Sequence, residues 1–273
     1  MNARALAVWS AAALTVALAS ANPVYRLLVV AAALNVLIAL RRPETRLGPL
    51  VVALVAAGAI ATLVTVAVSH TGVHAFARLP TGVPVLGGAF TLEALVFGLV
   101  SGLGIAAAVL SVAPLSLASQ AHELVDALPR ALSRSGAAIA TAVNLLPAIV
   151  RSATEIRDAQ RMRGVRVTRW RGISDVAVPV VLTAVEDSVR LAEAMEARGY
   201  GSGARTHIAV ARWTAGDAVV AVAATLAASG FVLMRVTGTL VDWYPFPDVS
   251  IPSVSPLAVL CCLLLAAPAF ARR

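Results

Sequence analysis

The chain has 273 residues, 59% of them apolar and only 13% charged, with a formal net charge of +8. Soluble domains average about 45–50% apolar and about 25% charged, and the share of surface buried on folding levels off near about three quarters. The apolar surplus therefore has to face lipid, which excludes a soluble domain and makes this a polytopic membrane protein.

All 22 basic residues are Arg and none is Lys. A phosphate-binding P-loop needs its Lys, and Schiff-base chemistry needs a Lys amine, so both are excluded. If nucleotide hydrolysis powers this protein, another chain performs it.

A spanning helix needs about 20 mostly apolar residues. Six runs qualify or come close: Ala5–Ala21, Val24–Leu40, Leu47–Val68, Thr91–Leu117, Asp217–Leu240 and Ser255–Ala271. The first two are separated only by Asn22-Pro23, a turn signal, and are expected to form a tight hairpin. The start also imitates a secretory signal, with Arg4, an apolar stretch and Ala19-Ser20-Ala21. The second apolar run that follows at once favours a retained helix.

His70 and His74 have the i,i+4 spacing of two metal ligands on a helix face. Gly72 lies between them and no carboxylate or Cys is close in sequence, so two solvated imidazoles in an interfacial loop are expected. Pro80, Gly82, Pro84, Gly87 and Gly88 mark an irregular loop. Trp243, Tyr244 and Phe246 read as an aromatic interface anchor. Cys261 and Cys262 are adjacent, a poor geometry for a structural disulfide, and are expected as lipid-facing or packed thiols.

Arg bias sets the orientation. Placing Arg41, Arg42 and Arg46 together with Arg272 and Arg273 in the cytoplasm puts both termini inside. It also puts Ser69–Phe90 and Val241–Val254 outside, and Ala118–Arg212, with 13 of the 22 Arg, inside. The chain thus divides into spans at 1–117, a cytoplasmic segment at 118–212 and further spans at 213–273. Within the spans the chemistry is quiet: Glu93 and Arg235 sit near helix ends, Arg26 is close to a loop, and no acid–base pair marks a proton or substrate path.

The cytoplasmic segment alternates apolar patches with charge in helical periodicity. Ala131–Val150 is apolar enough to resemble a span, but its Arg134, Asn144 and Pro147 and its charged continuation suggest a long helix at the membrane surface. Two stretches then resemble each other, one ending Met162-Arg163-Gly164 and the other Ala197-Arg198-Gly199. In the second, Val185, Val189, Ala192 and Met195 form an apolar stripe. Gly164 and Gly199 are each placed to take the left-handed conformation that ends a helix. Arg163 and Arg198 then fall in the last turn, where the helix dipole favours a cation and a guanidinium can fork onto a carboxylate. One such ending is ordinary; two in one segment, 35 residues apart, point to function.

At these residues the chain resembles the transmembrane T component (EcfT/CbiQ family) of energy-coupling factor (ECF) transporters. The signature of that family is two Ala-Arg-Gly motifs at the ends of cytoplasmic coupling helices. Ala197-Arg198-Gly199 matches in full, and Met162-Arg163-Gly164 departs at its first position. Asn22-Pro23, Thr91-Leu92-Glu93, Glu123-Leu-Val-Asp-Ala-Leu-Pro129 and Leu145-Leu-Pro147 also look like family features, so the likeness covers most of the chain.

The resemblance implies an all-α polytopic membrane protein of about six transmembrane helices plus a cytoplasmic coupling domain of long amphipathic helices. It implies a non-catalytic subunit with no cofactor, metal or nucleic-acid partner. Its partners would be two ATP-binding-cassette ATPase subunits and a small membrane-embedded substrate-binding S component, in the cell membrane of a prokaryote. Arg163 and Arg198 would pair with acidic groups in the ATPase grooves, so that ATP hydrolysis drives uptake of a vitamin or transition metal. The competing reading is a self-contained secondary transporter with a regulatory cytoplasmic domain, which predicts inverted repeats that the sequence does not display. An integral-membrane enzyme is a further rival, but of the cytoplasmic imidazoles His122 and His207 neither lies in a ligand-like cluster.

Overall fold

The computed structural model describes residues 2–40, 47–69, 71–78, 88–118, 133–164, 174–200, 202 and 213–270. Among these described residues the fold is that of an all-α membrane protein with one small hairpin. Its helices are α1 (Ala3–Ala19), α2 (Pro23–Leu40), α3 (Gly48–Val68), α4 (Leu92–Ala118), α5 (Ser133–Met162), α6 (Ser174–Ala197), α7 (Ala215–Val236), α8 (Pro256–Leu264) and α9 (Ala267–Phe270). Between α3 and α4, β1 (Ala75–Arg78) pairs antiparallel with β2 (Ala89–Thr91), with an irregularity between Ala75 and Ala77.

The chain divides into two compact units. Unit 1 comprises residues 1–120 and 212–273, and unit 2 residues 121–211. Among the described residues four helices are long and apolar enough to cross a membrane: Pro23–Leu40, Gly48–Val68, Leu92–Leu117 and Ala215–Val236. The apolar α1 is shorter, with 17 residues. The expected run Ser255–Ala271 is not one helix, because it breaks into α8 and α9 at Leu265-Ala266. There the amides of Leu265 and Ala266 turn back to the carbonyls of Cys262 and Leu263. Pro268, which has no N–H and crowds the carbonyl four residues earlier, opposes an unbroken helix.

Unit 1 is organised around α1, α2, α4 and α7. Trp9, Val29, Val36, Leu110, Val220 and Phe231 are all buried in one cluster. Tyr25 meets Phe231 edge-on at 5.6 Å and its hydroxyl accepts from the Ser255 amide. Trp9 Nε1 donates to the Leu265 carbonyl at 2.8 Å, using an acceptor that the α8–α9 break leaves outside the helical ladder. Cys261 and Cys262 are packed thiols rather than lipid-facing ones.

Local capping explains the helix boundaries. The Asn22 side chain accepts the Val24 amide and donates to the Ser253 carbonyl, and Pro23 opens α2. Thr214 and Asp217 form a capping box at α7, and Asp217 also accepts the Asn2 amide at 2.9 Å, which ties the two ends of unit 1 together. Helix α3 leans on α4 through glycines: a Cβ on Gly102 would stand 2.9 Å from Gly58 Cα, and one on Gly98 2.8 Å from Thr62 Cα. Small residues let two membrane helices approach backbone to backbone. No residue of α3 is buried, so its Val, Leu and Ile face is left to lipid.

Candidate functional site

In unit 2, α5 and α6 are long helices that pack against one another. Each ends in the same way. Helix α5 stops at Met162, Gly164 takes φ +82°, and its amide donates to the Arg161 carbonyl at 3.0 Å. Helix α6 stops at Ala197 and Gly199 takes φ +74°, with its amide on the Glu196 carbonyl and the Tyr200 amide on the Met195 carbonyl, both at 2.9 Å. That pair of reversed bonds is a Schellman motif, and a Cβ at either glycine would carry the steric cost of a left-handed conformation.

The caps place Arg163 and Arg198 at the helix tips, beyond the last intrahelical residue. Met162, Arg163, Gly164, Ala197, Arg198 and Gly199 are all exposed. Among the described residues no carboxylate lies within 4.0 Å of either guanidinium, whereas Arg161 does reach Asp158 at 3.7 Å. Among the described residues the two guanidinium groups thus make no ion pair. Unit 2 also exposes apolar side chains along α6: Val178, Val181, Leu182, Val185 and Val189 are each more than half exposed. The stripe read from Val185, Val189, Ala192 and Met195 thus begins earlier and is open rather than buried.

A second cluster, in unit 1, was not legible in sequence. His74 lies on the turn before β1, not on a helix, and its Nδ1 stands 2.8 Å from Glu93 Oε1. Glu93 is completely buried and accepts the Val73 and His74 amides, whereas the sequence placed it near a helix end with access to the interface. The hydrogen bond to Glu93, and then its charge, raise the His74 pKa above the usual imidazole value. Asp248 adds a carboxylate 3.8 Å from the same nitrogen. The expectation of solvated imidazoles with no carboxylate nearby is therefore corrected for His74, because α4 brings in a residue 19 positions away.

Arg26 is half-buried rather than simply near a loop. It donates from Nε to the Ser20 carbonyl and from Nη1 to the Val100 carbonyl, over a slot left open by Gly104. Trp243 is buried with Nε1 on the Ser250 carbonyl, whereas the half-buried Phe246 and the exposed Tyr244 pack on Phe97 at the surface of unit 1. His70, the Arg41, Arg42 and Arg46 cluster, Glu123–Pro129, His122 and His207 lie outside the described residues.

The sequence profile of the CbiQ family, described as cobalt transport protein, matches residues 3–208. The chain is similar to the energy-coupling factor transporter transmembrane protein EcfT 1 of Listeria monocytogenes, 30% identical over 104 residues. That match covers 36% of this chain and 39% of the relative. It is also similar to the protein EcfT of Lactobacillus helveticus, 32% identical over 88 residues, covering 30% of this chain and 32% of that one. The protein EcfT of Exiguobacterium sibiricum is 31% identical over 107 residues, covering 37% and 40%. The matched stretch thus spans less than half the length of these relatives. With a profile match running through both units, from α1 past the Arg198 cap, the chain belongs to the CbiQ family of cobalt transport proteins.

Proposed function

We propose that this chain is the transmembrane scaffold and energy-coupling subunit of an ECF-type ABC importer. It carries no nucleotide chemistry of its own. Two partner ATPase subunits each receive one helix tip, with Arg163 and Arg198 forking onto acidic groups in their grooves. The segment 118–212 acts as the coupling domain, and the spans at 1–117 and 213–273 hold a small substrate-binding S component in the cell membrane. Both termini lie in the cytoplasm, and the transported solute is a vitamin or a transition-metal ion selected by the S component.

The observation that carries this reading is the pair of exposed Arg-Gly caps on two helices of one unit. Each cap fixes the backbone that carries its Arg, and the planar guanidinium fork matches a carboxylate. The names of the relatives and the lack of Lys, which leaves ATP hydrolysis to another chain, support the same role.

The test is an affinity purification of the tagged chain from its native membranes, with partners identified by mass spectrometry. P-loop ATPase subunits are expected with the parent chain and are expected to be lost from the Arg163→Glu, Arg198→Glu double variant at equal membrane abundance. Parent-like ATPase recovery by that variant refutes the docking. Solute movement by the purified chain alone in liposomes would instead establish a self-contained secondary transporter.

A further inference from the structure

Three segments distant in sequence meet at one end of unit 1: the turn before β1, the start of α4 and the loop between α7 and α8. They bring His74, Glu93 and Asp248 together so that one ligand-capable atom from each lies within 4.8 Å of the others. We infer that these three residues form a binding site for a first-row divalent cation of the zinc class.

The three ligand atoms lie within reach of one such ion after small adjustments. His74 Nδ1 is 2.8 Å from Glu93 Oε1 and 3.8 Å from Asp248 Oδ1. Nitrogen and oxygen donors bound to zinc at about 2.0–2.2 Å in a tetrahedron stand about 3.3–3.5 Å apart. The short distance has to open and the longer one to close, each by about half an ångström. The ion takes the place of the proton now shared between His74 Nδ1 and Glu93 Oε1. One imidazole and two carboxylates neutralise a dication and are a donor set suited to Zn²⁺, Co²⁺ or Ni²⁺. Three protein ligands leave a fourth position open.

A second observation points independently to a cation. Glu93 is 0% exposed, and while Oε1 receives three donors, Oε2 has no hydrogen-bond partner. A buried anionic oxygen without a partner is a condition that a bound cation relieves. Oε2 lies against the Gly72 backbone, where a Cβ would collide with it and stand 2.9 Å from Glu93 Cδ, while Oε1 faces His74. The two amides on Oε1 fix the carboxylate in place, as partners outside the ligand set do in metal centres. His74 and Asp248 are 63% and 74% exposed, so an ion can enter from outside onto a rigid acidic floor. Asp248, on a different segment, stands 3.8 Å from the same His74 nitrogen and supplies the third donor.

The experiment uses the full chain, purified in detergent and stripped with a chelator, then titrated with Zn²⁺ by calorimetry. One equivalent per chain is expected. His74→Ala and Asp248→Asn, both at exposed positions, are each expected to weaken binding at least about tenfold. In parallel, Zn²⁺ is expected to raise the thermal unfolding temperature of the parent and not of either variant, each compared with its own metal-free temperature. A Cys261→Ser, Cys262→Ser variant is expected to bind like the parent. The inference is overturned if the parent shows no saturable binding, or if the His74 and Asp248 variants bind as it does. Loss of binding in the cysteine variant alone would place the ion elsewhere and overturn it equally.

Discussion

Replacing Gly199 by Val tests the link from backbone geometry to coupling. Gly199 sits at φ +74°, where an L-residue is disfavoured by roughly 1–2 kcal/mol and a β-branched one by more. A Cβ there would also stand 3.0 Å from Ser202 Oγ, which now donates to the Gly199 carbonyl at 2.7 Å. That bond is exposed, so its loss adds only about 0.5–1 kcal/mol. Together the cost is about 2 kcal/mol, and at tenfold per about 1.4 kcal/mol the last turn should open about 30-fold more often. Hydrogen exchange of the Gly199 and Tyr200 amides, which close the Schellman motif, reads this directly. ATP-driven uptake by the reconstituted transporter is expected to fall in step, because an open cap no longer presents Arg198. Gly164→Ala should cost less, since nothing lies within 4 Å of a Cβ there and only the left-handed penalty remains. Gly199→Asn should be milder than Val, because Asn tolerates that conformation. Parent-like amide protection in Gly199→Val would refute the strain argument. Lost protection with full uptake would refute the connection between cap and coupling.

Two further predictions concern the scaffold. Gly102→Leu places a side chain where a Cβ alone would stand 2.9 Å from Gly58 Cα, so α3 must move off α4. Overpacking of this kind costs about 1–3 kcal/mol, and the variant should unfold at a lower temperature in detergent while Gly48→Ala, with nothing within 4 Å, does not. Trp9→Phe removes the donor to the Leu265 carbonyl and leaves a buried acceptor unpaired, a loss of about 1–3 kcal/mol. An unchanged unfolding temperature for Trp9→Phe would mean that the α8–α9 break is held by something other than this bond.

The spans were legible because lipid leaves few alternatives: a long apolar run must satisfy its own backbone, and a helix does so within one segment. That logic located α2, α3, α4 and α7. Asn22-Pro23 marked the α1–α2 boundary, and the glycine after each Arg marked the ends of α5 and α6, since caps are written in neighbouring residues. The same counting failed at Ser255–Ala271, where Pro268 changes the backbone without changing the hydropathy. It failed again at Glu93. A search for carboxylates along the chain from His74 finds none close by, because the contact depends on β1 pairing with β2. The available signal was Thr91, whose hydroxyl accepts the Ala94 amide at 3.3 Å at the start of α4 and donates to the Thr71 carbonyl. These two hydrogen bonds fix the helix start beside the turn, and with it Glu93 beside His74.

The two units expose apolar surface for different reasons. In α3 the side chains are apolar all round an uncharged helix and exposed away from the face on α4, which is the pattern of a span with lipid on its open sides. In α6, Val178, Val181, Leu182, Val185 and Val189 are as exposed, yet Asp175, Glu186, Asp187, Arg190, Glu193 and Glu196 lie on the same helix. Six charges on 24 residues are incompatible with immersion in hydrocarbon, where each costs about 2.5–3.5 kcal/mol at the centre. The stripe therefore calls for a one-sided cover, with the charged face in water, and exposed stripes of this kind mark interaction surfaces. The proposed coupling role calls for that combination: a scaffold that satisfies its polar groups internally, as Asn22, Arg26 and Asp217 do, and a second unit that presents an apolar stripe and Arg tips for other chains to cover.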